Sequence, residues 1–111
     1  MIIKKKVNAR KSKQLAYNQL EEVVGCKWSV SVLKAVADNI TRPGKMERYI
    51  EGISKKVLSE RLRKLTDYKL LKKFTYAEVP PRTEYSLTEN GEKLICIIDQ
   101  IKTLDVEIGS S

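Results

Sequence analysis

Ile53–Lys69 reads ISKKVLSERLRKLTDYK. Ser54 suits a helix N-cap, because its hydroxyl can accept a bond from one of the first free backbone N–H groups. Leu58, Leu62 and Leu65 recur at helical spacing and predict an inward stripe. Lys55, Lys56, Ser59, Glu60 and Arg63 fall on other faces, where the one large apolar residue is the flanking Val57. A short helix with a firm inner stripe and a cationic, hydrogen-bonding outer face suits the DNA major groove. Taken alone, it suits a solvated surface helix equally well. Its neighbours decide between the two.

Downstream, the period changes. Leu70–Val79 (LLKKFTYAEV) is rich in β-branched and aromatic residues, and in Arg82–Leu87 (RTEYSL) Thr83, Tyr85 and Leu87 alternate with Arg82, Glu84 and Ser86. Pro80-Pro81 lies between them. Prolines cannot donate to a ladder, so they belong at a hairpin tip. The expected hairpin carries Lys72 and Lys73 at its base and Arg82 just past its tip. A hairpin so placed is a wing, able to lie along a phosphate backbone and send a basic side chain into the minor groove.

Upstream, Lys45–Ile50 reads as a short helix with Met46, Tyr49 and Ile50 available to the core, and Pro43 suits its first turn. Gly52 can take the positive φ of a helix end. Helix, glycine turn and second helix form a helix-turn-helix pattern. Trp28–Asp38 is a further helix with Trp28, Val32, Leu33 and Val36 inward. Gln14–Val24 is another, with Leu15, Leu20, Val23 and Val24 apolar. Residues 1–13 hold six positive charges and no acid, which fits either a phosphate-binding arm or a frayed terminus. At the other end Thr88 caps a final helix whose Leu94, Ile95, Ile98, Ile101 and Leu104 form an apolar stripe, widened by Ile97 and Val106. That stripe serves either the domain's own core or a second subunit, and the symmetric pairing common among helix-turn-helix proteins favours the second.

At 111 residues the chain is expected to be one domain. The net charge of +8 is uneven. Residues 1–41 carry eight Lys/Arg against three Asp/Glu, residues 42–82 twelve against five, and residues 83–111 two against six. A basic middle and an acidic tail point to a polyanion, duplex DNA ahead of a membrane surface. No apolar run approaches the roughly 18–20 residues of a membrane span. Met1-Ile2-Ile3 precedes Lys4-Lys5-Lys6, the reverse of a signal peptide, so a cytoplasmic location is expected. With no histidine and two cysteines, neither a zinc site, nor a histidine base, nor a cofactor is expected, and the chain is not read as an enzyme. Cys26 and Cys96 are expected to be small buried residues and not a disulfide.

Three segments resemble the HxlR-type transcription regulators, a winged-helix group similar to the MarR regulators: Gly25-Cys26-Lys27-Trp28-Ser29, Gly52 to Leu62 (GISKKVLSERL), and Glu78 to Gly91 (EVPPRTEYSLTENG). The resemblance spans about residues 15–104. It implies an α+β winged helix-turn-helix, mainly helical, with the hairpin wing in the C-terminal half and a final dimerisation helix. It also implies a homodimeric repressor of transcription paired through its first and last helices, which assigns Leu15, Leu20, Leu94, Ile98, Ile101 and Leu104 to dimerisation. Ser54, Lys55, Lys56, Ser59 and Arg63 would then meet DNA from the recognition helix, and Lys72, Lys73 and Arg82 from the wing. Arg61 would contact phosphate or brace the helix. Glu60 would accept from a cytosine amine or bridge to Lys56 or Lys64.

Two departures bear on that expectation. Leu15-Ala16 stand where thiol-sensing members carry Cys-Pro, so oxidative sensing by that route is not expected; Cys26 would be either a different sensor or a small buried residue. Arg42-Pro43-Gly44 replaces a commoner Arg-Phe, which predicts a weakened first strand. Any effector stays unspecified. The rival readings are a winged-helix scaffold for protein partners, which requires an apolar or acidic outer face on Ile53–Lys69, and a non-specific DNA-coating protein.

Overall fold

A computed structural model describes residues 16–110. Residues 16–24 are helical (α1). They are followed by α2 (Lys27–Ala37), α3 (Pro43–Tyr49), α4 (Lys55–Asp67), strands β1 (Leu71–Tyr76) and β2 (Arg82–Leu87), and α5 (Glu89–Ser110). This is the winged helix-turn-helix expected from the sequence. Leu15 and the basic segment 1–13 lie outside the described residues.

α2 is the centre of the packing, touching α3, α4, α5 and β2. Val32, Leu33, Met46, Leu65 and Leu71 are fully buried and join Leu58, Leu62, Leu94 and Ile98 in one apolar cluster. Each such side chain contributes about 1.5–3 kcal/mol over leaving it in water. Trp28 is half-buried against this cluster, with the Lys27 ammonium 5.0 Å from its ring centroid. Tyr49, expected to serve the core, is 54% exposed. Its hydroxyl donates to Asp38 Oδ2 at 3.0 Å, which keeps the ring outside.

α2 and α4 end alike. Ile40 N–H donates to the Ala35 carbonyl and Asn39 N–H to that of Val36; Leu70 N–H donates to Leu65 and Lys69 N–H to Thr66. Asn39 and Lys69 hold φ of 66° and 62°. This is the Schellman closure, with Ile40 and Leu70 as the apolar residues that follow it. Gly52 has φ 85°, as its place after α3 predicted.

The hairpin is antiparallel, with Leu71 opposite Leu87, Lys73 opposite Tyr85 and Thr75 opposite Thr83. One face therefore carries those residues, and the other carries Lys72, Phe74, Tyr76, Ser86, Glu84 and Arg82. The weakened first strand is reduced to one backbone bond, Tyr85 N–H donating to the Thr41 carbonyl at 2.9 Å. The Thr41 hydroxyl adds a bond to Glu84 Oε1 at 2.9 Å.

Thr88 caps α5 as expected: its Oγ1 accepts from Gly91 N–H at 3.0 Å and donates to the Lys69 carbonyl at 2.6 Å. Gly91 is required there, because a Cβ would stand 2.1 Å from the Leu70 carbonyl oxygen. The 22 residues of α5 extend about 33 Å at 1.5 Å per residue.

Candidate nucleic-acid interface

α4 is built as its sequence dictates. Ser54 Oγ accepts from Val57 N–H at 3.1 Å, and Leu58, Leu62 and Leu65 are buried. Lys55, Lys56, Ser59, Glu60 and Arg63 are all exposed, so the outer face presents three cations, a hydroxyl and one carboxylate. The bridges expected from Glu60 to Lys56 or Lys64 do not form. Glu60 instead lies 3.9 Å from its neighbour Arg61, and Lys64 turns away from it.

The wing stands beside this face. Ser59, Arg63 and Asp67 from α4, with Pro43, Lys73 and Tyr85 opposite, line one groove of about 450 Å³. Lys73 faces the groove from the inner side of the hairpin. Lys72 is exposed on the opposite side of the same strand. Of the two lysines expected to act together, one alone lines the groove.

Arg82, the predicted minor-groove residue, is held within the wing. Its guanidinium lies 3.2 Å from Glu78 Oε2 and 3.2 Å from Glu84 Oε2. The Nε approach to Glu84 is at ion-pair distance but is not aligned as a hydrogen bond. The cation also sits 4.2 Å from the Tyr76 ring centroid. Reaching a groove would cost it both carboxylates and the ring. Val79, at the tip, is fully exposed.

Arg61 and Lys64 face inward along α4. Arg61 is half-buried, and its Nη1 lies 3.7 Å from Cys26 Sγ. This contact is compatible with the bracing role, one of the two expected of Arg61. Burial opposes ionisation of Cys26, but the Ser29 hydroxyl, the Ser29 and Trp28 N–H groups and the Arg61 charge outweigh it and hold the thiol below its ordinary value. Cys96 is exposed, contrary to expectation, and both thiols are free. Lys64 Nζ pairs with Glu22 of α1, and the Tyr68 hydroxyl donates to the same carboxylate at 2.7 Å. Those two donors hold the Glu22 carboxyl below the usual glutamate range. Arg61, Lys64 and Tyr68 thus form one edge of α4 fastened to Glu22 and Cys26.

The assigned dimer residues divide. Leu94 and Ile98 are 4% exposed and belong to the core of the same chain. Little of either side chain is left for a second subunit, although Leu94 still lines the groove beside α1. Ile101 and Leu104 are exposed at 46% and 53%, with Ile97 at 50% beside them. Leu20 is 40% exposed and lines an apolar groove with Ala16, Leu70 and Ile97. The sequence reading passed over Arg42, Lys45 and Arg48, all exposed. Their spacing of three was the available signal.

Among the described residues no group of three or more His, Cys, Asp or Glu is arranged to hold a metal, and no helix is long and apolar enough to cross a membrane.

Residues 23–110 match the family described as HxlR-like helix-turn-helix. An uncharacterized HTH-type transcriptional regulator of Methanothermobacter thermautotrophicus is 38% identical over 78 residues, covering 70% of this chain and 60% of that protein. The HTH-type regulator YkvN of Bacillus subtilis is 37% identical over 81 residues, 73% of this chain and 69% of YkvN. The chain thus spans about three fifths to two thirds of these relatives. Among solved structures, a candidate transcriptional regulator of the MarR family from Enterococcus faecalis V583 superposes with a TM-score of 0.77 at 28% identity, over 88% of this chain and 89% of that one.

Proposed function

The chain belongs to the HxlR-like helix-turn-helix family, and on that footing we propose that it is a homodimeric, sequence-specific DNA-binding regulator that represses transcription from a palindromic operator. The observation that carries this reading is the outward cationic face of α4, with Lys55, Lys56, Ser59 and Arg63 exposed beside a wing that shares its groove. Phosphate neutralisation supplies most of the affinity, by counterion release. Lys55, Ser59 and Arg63 read base edges, each good bidentate contact contributing about 1–3 kcal/mol of discrimination. Two such helices reach half-sites about 34–36 Å apart, and occupancy of the operator excludes polymerase. The exposed Ile97, Ile101 and Leu104 on α5 support the pairing.

The test is selection of preferred duplexes from a random pool, followed by titration at several salt concentrations. A palindromic consensus and a steep salt dependence are expected. Lys55→Ala and Arg63→Ala should each weaken the selected site about 5- to 150-fold, the equivalent of 1–3 kcal/mol, while affinity for random duplex falls much less. Equal affinity for selected and random duplexes would reject sequence specificity.

A further inference from the structure

Arg42, Lys45 and Arg48 recur every third residue, from the N-cap of α3 to its last turn. All three are exposed. Together with the wing-tip residues 78–83 they line a second cleft, of about 440 Å³. The two clefts meet at the 42–44 segment: Pro43 lines the groove beside α4, and its neighbours Arg42 and Gly44 line the one beside the wing tip. Lys73 and Tyr85 line the first cleft, and Thr83 from the same face of the hairpin lines the second together with Arg82.

The cations here are not ion-paired. The carboxylate that lines this cleft, Glu78, is taken up by Arg82, as is the adjoining Glu84. Among the described residues, none of Arg42, Lys45 and Arg48 forms an ion pair. The segment is also held in place. Thr41 bonds to β2 through both its carbonyl and its hydroxyl, and Met46 is buried beneath α3.

We propose that Arg42, Lys45 and Arg48 form a phosphodiester-binding track that grips the duplex backbone next to the wing tip, where Arg82 was expected to act. Arg82 serves instead to offset part of the charge of Glu78 and Glu84, which lowers the repulsion between the hairpin and polyanionic DNA. The track continues the α4 face past Pro43, and it contacts phosphate oxygens without reading sequence. It rests on the DNA-binding reading above.

Arg42→Gln, Lys45→Gln and Arg48→Gln are measured against the parent by the slope of log K against log salt, on a selected duplex and on a random one. Each should reduce the slope by about 0.9, one phosphate contact, and weaken both duplexes alike. Lys93→Gln removes the same charge from α5 and should leave the slope unchanged. Circular dichroism confirms folding, and Lys45→Glu should exceed the effect of Lys45→Gln. Inorganic phosphate, titrated against chloride at matched ionic strength, should produce no saturable change in thermal midpoint; one that Arg48→Gln abolishes would replace the backbone with a free anion. Slopes equal to the parent's, or losses confined to the selected duplex, overturn the track. If the parent binds and responds to Lys55→Ala while ignoring the α3 substitutions, this inference alone fails. A parent that binds no duplex at low salt removes the DNA-binding reading as well.

Discussion

Gly52 and Gly91 are both glycines at turns into helices, yet they are needed for different reasons. At Gly52 a Cβ would meet nothing closer than Trp28 at 3.7 Å. Gly52→Ala therefore bears only the left-handed backbone penalty, about 1 kcal/mol. At Gly91 the obstacle is the Leu70 carbonyl, which is itself bonded to Thr88 N–H and cannot yield. Gly91→Ala should cost about 3 kcal/mol or more, as overpacking against a fixed neighbour does. Urea unfolding of the two variants should separate them clearly. Glu22 makes a different kind of prediction. Its folded-state carboxyl lies below the ordinary value because of Lys64 and then Tyr68. The unfolded chain thus binds more protons through that window, and stability should fall as pH drops below the usual glutamate value of about 4.3. Glu22→Gln should flatten that acid limb; an unchanged limb would mean the bond contributes nothing in solution. Gly52 was legible from its place after a helix, but the other two were not, because Glu22 lies 42 residues from Lys64 and Gly91 is constrained by a segment reached through the hairpin.

For single elements, legibility followed the range of the cause. α4 could be read because its stripe and its cap are local: Leu58, Leu62 and Leu65 are set by helical period, and Ser54 by the three residues that follow it. Ser54→Ala should cost about 1 kcal/mol. The other end of the same helix was not readable. Lys69 occupies a left-handed conformation that lysine does not favour, and it does so because Leu70 must turn inward to a buried site. Lys69→Gly should therefore stabilise the protein by about 0.5–1 kcal/mol, visible as a raised urea midpoint with an unchanged slope. The wing was readable as a hairpin but not in its chemistry. Alternation and Pro80-Pro81 located the strands and the tip and put Arg82 on one face with Glu84, whereas the register alone sets Arg82 opposite Tyr76. A cation counted as available from composition is thereby spent internally.

For the whole molecule, the apolar period of α5 predicted a wide stripe but could not divide it. Leu94 and Ile98 close the core, and the later positions remain outside. Ile101→Asp combined with Leu104→Asp should leave the fold intact, since neither residue is buried. It should convert a dimer to a monomer in sedimentation equilibrium and abolish preference for a palindrome over a half-site. A parent that already sediments as a monomer at micromolar concentration would sink the pairing. On the proposed pairing, the apparent melting point should rise with protein concentration in the parent and not in the double variant.

The second half of α5 has a last consequence. Residues 99–110 are exposed throughout and carry three acids and one lysine, Asp99 being bridged to Lys34 at 3.5 Å, whereas residues 42–82 carry twelve Lys/Arg against five Asp/Glu. A charge distribution this uneven along the chain gives a protein an electric moment, and the field near a polyanionic rod exerts a torque on such a moment. On the DNA-binding reading, incoming molecules should turn before they touch, with the basic surface leading. Collisions are thus pre-aligned, and the encounter rate should decline with added electrolyte faster than for an equally charged body without such polarity.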